Sequence, residues 1–226
     1  MFKNLISFWR GKDFLTEVLK EFKEMLADTK NMFESVFSSL IEGKVTDELT
    51  EKIYKVDKKV NLLEKDIRKR IVEHLSFQPA VDVPVSLVLM SVVKDAERIG
   101  DYCKNILGVT DLLNNPLDRG IYSELFGNID KKIIEEFEKT HKAFIESDEK
   151  VAKEILDLER CIVKKCDEIV KNLAKGEFAT NEAVCLALLA RYFKRIAAHL
   201  ANIGSSVILP VSDLDFFDEK LRREKK

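Results

Sequence analysis

The sequence has little that breaks a helix: its 226 residues include only eight glycines and four prolines. Sandwiches, barrels and dinucleotide-binding folds usually need more turn residues than that. A long apolar run is also missing. The longest candidate, AVCLALLA at 183–190, stops at Arg191, well short of the roughly 18 to 20 apolar residues that cross a bilayer. The first residues, MFKNLISFWRGKDF, lack the apolar length and cleavage site of a secretory signal. The expectation is a soluble, cytoplasmic protein. Neither sign of charge dominates. Thirty-eight Lys and Arg against 40 Asp and Glu leave a net charge of −2, so no global field draws in nucleic acid or an anionic membrane. The four cysteines, Cys103, Cys161, Cys166 and Cys185, include no CxxC pair and read as reduced thiols on helices. The three histidines, His74, His141 and His199, form no i, i+4 pair. No phosphate-binding loop, glycine-rich dinucleotide turn, HExxH or nucleophile elbow occurs. A protein that is not an enzyme is expected.

What the chain does have is 46% hydrophobic and 35% charged residues, the composition of long amphipathic helices. Turn residues gather at Gly43, 76–84, 108–120, 146–148, 174–181 and 209–213. Apolar residues recur at helical spacing between them, which predicts helices at about 13–42, 46–76, 83–113, 122–146, 148–175 and 180–208. Thr46 and Asp82 are placed to cap helices, with Pro84 just inside the third. Gly176 is placed to end the fifth.

The third and sixth helices align without gaps. Leu89, Arg98, Ile99, Asn105 and Ile106 match Leu186, Arg195, Ile196, Asn202 and Ile203 at one constant offset. A looser match pairs Asp57 with Asp157 in the second and fifth. The fold expected is all-α, two similar three-helix bundles made by internal duplication and packed side by side. The boundaries expected are 1–115 for the first repeat, 116–212 for the second and 213–226 for a charged tail.

One feature breaks the symmetry. At 100° per residue, Glu97, Asp101 and Asn105 share a face spread over about 80°, nearly opposite the apolar stripe of the third helix. Asp57, Asn61 and Glu64 form a short stripe on the second. Two neighbouring helices could then offer oxygen ligands to one hard cation. The plainer reading is a solvated charged face, with Arg98 and Lys104 neutralising the acids.

The stretch ERIGDYCKNI at 97–106, QPAVD at 78–82 and VDKKVNLLEKDI at 56–67 resemble signature segments of the PhoU family of phosphate-uptake regulators. Weaker copies at 157–168 and 191–203 resemble its internal duplication. The resemblance implies two three-helix bundles and a negative regulator in phosphate signalling. Its partners would be a phosphate ABC transporter subunit, a sensor histidine kinase, or both. It also implies metal ions, iron or zinc, at the first bundle. The ligands would be Glu97 and Asp101 with Asp57 and Glu64, and Asn105 as an outer contact. In the second copy Lys194 stands in place of Glu97 and Ala198 in place of Asp101. Lys164 and Cys161 take the places of Glu64 and Asn61, so the second metal site is expected to be lost.

Other readings stay open at this stage: a metal-dependent enzyme, a metal-storage helical protein, or an accessory module of another ion transporter. A homodimer, and membrane contact through partners, are compatible with the sequence. The stretch MFKNLISFW places Phe2, Leu5, Ile6 and Trp9 at helical spacing, to dock on a membrane or transporter or to pack on its own bundle. Lysines of the second helix alternate with acids and lack an aromatic platform, which argues against nucleic acid.

Overall fold

The computed structural model describes residues 12–77 and 82–214. The described chain forms seven α-helices and one short 3₁₀ turn. They are α1 Lys12–Glu42, α2 Asp47–Phe77, α3 Val83–Leu112, α4 Arg119–Phe126, α5 Ile129–Glu146, α6 Glu149–Lys175 and α7 Thr180–Ser205, then the turn Val211–Asp213. The N-terminal amphipathic stretch, residues 78–81 and the tail at 216–226 lie outside the described residues.

Five of the six expected helices are found near their predicted bounds. The sixth, 122–146, is two helices. Gly127 adopts φ 61° and ends α4, and α5 starts at Ile129. Side-chain L-residues rarely take that conformation, so the glycine is the break. Asp118 starts α4, its carboxylate accepting from the backbone N–H groups of Gly120 at 2.7 Å and Ile121 at 3.0 Å. Thr46 caps α2 as expected, with its hydroxyl 3.1 Å from the Leu49 N–H. Asp82 does not cap with its side chain: it sits at the start of α3, but its carboxylate meets His74 Nε2 at 2.6 Å. The His74 ring in turn stacks on Phe14 at 4.2 Å. Gly176 follows α6 with an extended φ of −87°, not in the left-handed conformation. A glycine is needed there for space, because a Cβ would come within 2.5 Å of the Phe178 ring.

Helices α1, α2 and α3 form one three-helix bundle and α5, α6 and α7 a second, with α4 against α6. The bundles lie side by side through α3 against α7 and α1 against α5. Asn181 Nδ2 donates to the Leu112 carbonyl at 2.7 Å, Tyr102 faces Tyr192 at 6.0 Å, and Asp95 meets His199 at 2.7 Å. The numbering of these pairs shows that α3 and α7 run antiparallel. Aromatic rings close the centre. Phe22 meets Phe144 at 4.7 Å, and Phe193 meets Phe33 at 5.7 Å and Phe126 at 5.8 Å. The two repeats therefore share a single apolar core.

The duplication reaches the first helices too. Every buried position of α1 from 18 to 36 (18, 22, 25, 26, 29, 32, 33 and 36) has a buried counterpart at 129, 133, 136, 137, 140, 143, 144 and 147. The offset is constant along the whole series. Two residues are identical across it: Thr29 with Thr140, and Phe33 with Phe144.

Candidate functional site at the seam of α2 and α3

Antiparallel packing of α2 on α3 brings the predicted acids together, but in the seam between the helices and not on an outer face. Asp57 is buried at 6% exposure. The side chains of Glu64 and Glu97 are 13% and 16% exposed, and that of Asp101 is 30%. Asn105 is exposed on the next turn. The wheel of α3 gave the right grouping, but it could not show that α2 covers part of that arc.

Protein cations answer each acid. Lys104 Nζ bridges Asp57 at 2.8 Å and Asp101 at 2.9 Å. Arg98 bonds Asp101 at 3.0 Å and approaches Glu97 at 3.6 Å. Arg68 pairs with Glu64 at 3.0 Å. Burial works against the charge of Lys104, but its hydrogen bonds to Asp57 and Asp101 outweigh that and hold its pKa above the usual lysine value. Burial first, then the neighbouring Asp101, push the Glu97 carboxyl up; Glu64 and Asp57 add to the push, and Arg98 opposes it. The other three acids therefore all act electrostatically on Glu97.

Two oxygens are left over. Asp57 Oδ1 and Asn61 Oδ1 are buried without a hydrogen-bond partner among the described residues. Asp57 Oδ1 points toward Gly100, where an added Cβ would sit 3.5 Å away. Oxygen donors from two helices, with a carboxyl at Glu97 that its acidic neighbours still push up, suit a hard cation. As they stand, with Lys104 between Asp57 and Asp101, no three His, Cys, Asp or Glu side chains among the described residues are arranged to hold a metal ion. Beside the seam lies a groove of about 630 Å3 lined by Tyr54, Arg98, Tyr102, Lys104, Asn105 and Tyr192. Nothing in the sequence pattern marked it, because Tyr192 reaches it from the other repeat.

The matching region of the second repeat is different. Asp157 is 78% exposed and pairs with Arg160 on its own helix at 2.8 Å, while Ile155 and Leu156 take the core. Asp157 is thus not in the position of Asp57, which corrects the pairing drawn from sequence. Lys194 pairs with Asp167 at 2.6 Å. Asn202 donates to Asp95 of the first repeat at 3.1 Å, so it serves the junction between repeats. His199 is engaged at that junction as well.

Fold and seam together define a duplicated three-helix-bundle protein whose charged cluster belongs to one repeat only. The PhoU domain family model matches residues 22–110 and 128–207, most of both repeats, and the chain belongs to the PhoU family. It is 30% identical over 90 residues to the Thermotoga maritima phosphate-specific transport system accessory protein PhoU homolog 1, an alignment spanning 40% of this chain and 38% of that protein. It is 27% identical over 191 residues to the Aquifex aeolicus phosphate-specific transport system accessory protein PhoU homolog, spanning 80% of this chain and 85% of the relative. The crystal structure of PhoU from Pseudomonas aeruginosa superposes with a TM-score of 0.79 at 21% identity, covering 88% of this chain and 97% of that one. PhoU from Streptococcus pneumoniae gives 0.76 at 19% identity, covering 86% and 93%.

Proposed function

We propose that this chain is a regulator of phosphate transport that acts by protein–protein contact with a phosphate ABC transporter subunit, a sensor histidine kinase, or both. The observation that carries the reading is the family match over both repeats; the accessory role in the names of the two relatives agrees with it. In this reading membrane contact runs through partners and the place of action is the cytoplasm; no described helix is long and apolar enough to cross a membrane. The mode of action is binding and not catalysis. The acids of the seam are engaged in ion pairs with Lys104, Arg98 and Arg68, and a general acid or base would need to be free to exchange its proton with a substrate. The test is deletion of the gene with a phosphate-starvation reporter in rich phosphate. Raised expression is expected, and unchanged expression would overturn the reading.

A metal at the first repeat is the second element of the proposal. Asp57, Glu64, Glu97 and Asp101 would hold an iron or zinc ion, with Asn105 as an outer contact, once Lys104 swings out. The ion would supply charge that relieves the mutual repulsion of the acids and would tie α2 to α3. The unpartnered Asp57 Oδ1 and Asn61 Oδ1 and the raised Glu97 support it. Elemental analysis of the purified protein should find stoichiometric metal that is lost in Glu97→Ala and Asp101→Ala. Absence of metal from the unmodified protein would remove this element and leave the regulatory reading intact.

A further inference from the structure

The α6/α7 face of the second repeat carries a groove of about 570 Å3. Its floor is apolar. Val170 and Val184 are 41% and 51% exposed, and Ala187 and Leu188 lie in the same lining. An apolar trough between two helices, rimmed by charge, is the form of surface that takes a third helix.

The rim has one sign in excess. Lys194 is answered by Asp167 at 2.6 Å. Lys171 and Arg191 also line the groove and are exposed, and neither forms an ion pair among the described residues. Two unanswered cations thus stand at one apolar trough on a chain whose net charge is −2. In the sequence alignment of the third helices, the first repeat has Glu97 where this one has Lys194, so the sign of the charge is inverted between the two.

We propose that this groove docks an acidic amphipathic helix of a partner protein. The helix lays its apolar stripe on Val170, Val184 and Leu188, and its flanking carboxylates meet Lys171 and Arg191. A basic helix would bury like charges against the rim, and an uncharged one would desolvate both cations with no return. A small anion alone would leave the apolar floor in water. The proposal rests on the reading of the chain as a protein-contact regulator and assigns the surface and the partner chemistry.

The probe is a designed, fluorescently labelled helical peptide with leucine along one face and glutamate on both flanks. Its control carries lysine in place of glutamate. The glutamate peptide should bind the full chain saturably, and more weakly as salt rises. Combined Lys171→Glu and Arg191→Glu should weaken it by about tenfold or more and improve the lysine control. Val184→Asp should abolish binding. All three positions are exposed, so thermal unfolding of the variants should match that of the parent. Failure of the glutamate peptide to saturate, equal binding of both peptides, or unchanged affinity after charge reversal would overturn the proposal. So would a concentration-dependent dimer that Val184→Asp dissolves, since the occupant would then be a second copy of this chain. These readouts use purified protein, so a negative result leaves the starvation-reporter test of the regulatory role untouched.

Discussion

The two repeats use the same helical frame for opposite purposes. Buried positions recur along α1 and α5, and the Arg-Ile and Asn-Ile pairs recur along α3 and α7. Between those fixed points the first repeat places acids in the seam of α2 and α3, and the second places lysines and an apolar trough between α6 and α7. The frame fills a core that the repeats share, so each repeat restrains the other. Exposed charges at the seams are under no such restraint, and they are where the copies have separated. A core position tolerates little change in volume, whereas an exposed ion pair is worth little either way.

The largest expected effect tests the shared core. Phe193 belongs to the second repeat but touches Phe33 of the first and Phe126 of α4. Phe193→Ala should lower stability by about 3–5 kcal/mol. Urea unfolding followed by fluorescence and by helical signal should still give coincident transitions, because both bundles lose the same ring. Two separated transitions would mean that the repeats fold independently and that the continuous core overstates their coupling.

Next comes the seam of the first repeat. Asp57 is held by Lys104 at 2.8 Å, with side chains 9% and 21% exposed. Lys104→Met removes a charged hydrogen-bond donor from a buried carboxylate and should cost about 1.5–3 kcal/mol. The same change should increase the thermal upshift produced by added iron or zinc, because the ammonium no longer occupies the space between Asp57 and Asp101. A stability loss with no gain in metal response would make Lys104 a purely structural partner of Asp57.

A third contrast lies inside the second repeat. Glu136 occupies the position held by Met25 in the first. It is fully buried, and neither carboxyl oxygen has a hydrogen-bond partner among the described residues. Burial, and then Glu159, push its pKa well above the ordinary value of 4.5. The folded protein therefore keeps a proton that the unfolded chain releases above that pH. Its contribution to stability is fully present below about 4.5 and is lost as pH rises toward the folded-state value. Glu136→Met should stabilise the protein at pH 8 by about 1–3 kcal/mol and flatten this part of the pH profile. Urea titrations at pH 5 and pH 8 on both proteins measure it. An unchanged difference between the two pH values would mean that Glu136 does not carry the dependence.

The sequence showed the duplicated third helices because identical side chains survive there. It did not show the matching first helices, where the frame persists as burial while identities have drifted from Met25 to Glu136 and from Val36 to Ser147. The acids were found by helical spacing, yet spacing says only which residues share a face. It does not say what lies against that face, so the burial of Asp57 and the bridge from Lys104 were not visible. Asp82 stands at the start of α3 as expected, but its side chain does not cap, for a related reason. Its local setting is that of a cap, and a histidine eight residues earlier claims the carboxylate. Gly127 was missed because a lone glycine inside an apolar-periodic stretch reads as a tolerated cost and not as a break.

The smallest expected effect bears on the alignment itself. If Asp157 were the counterpart of Asp57, removing it would expose a gap in a buried polar network. Its side chain is instead 78% exposed and its partner Arg160 sits one turn away. Exposed pairs at that spacing contribute little, since solvent screens the charges and holding two long side chains costs entropy. Asp157→Ala should change stability by less than about 0.5 kcal/mol. Asp57→Ala leaves Lys104 with Asp101 as its one remaining partner in the seam and empties a buried position, and should cost several times more. Equal losses at the two positions would restore the sequence pairing and remove the distinction between a seam that holds acids and one that has let them go.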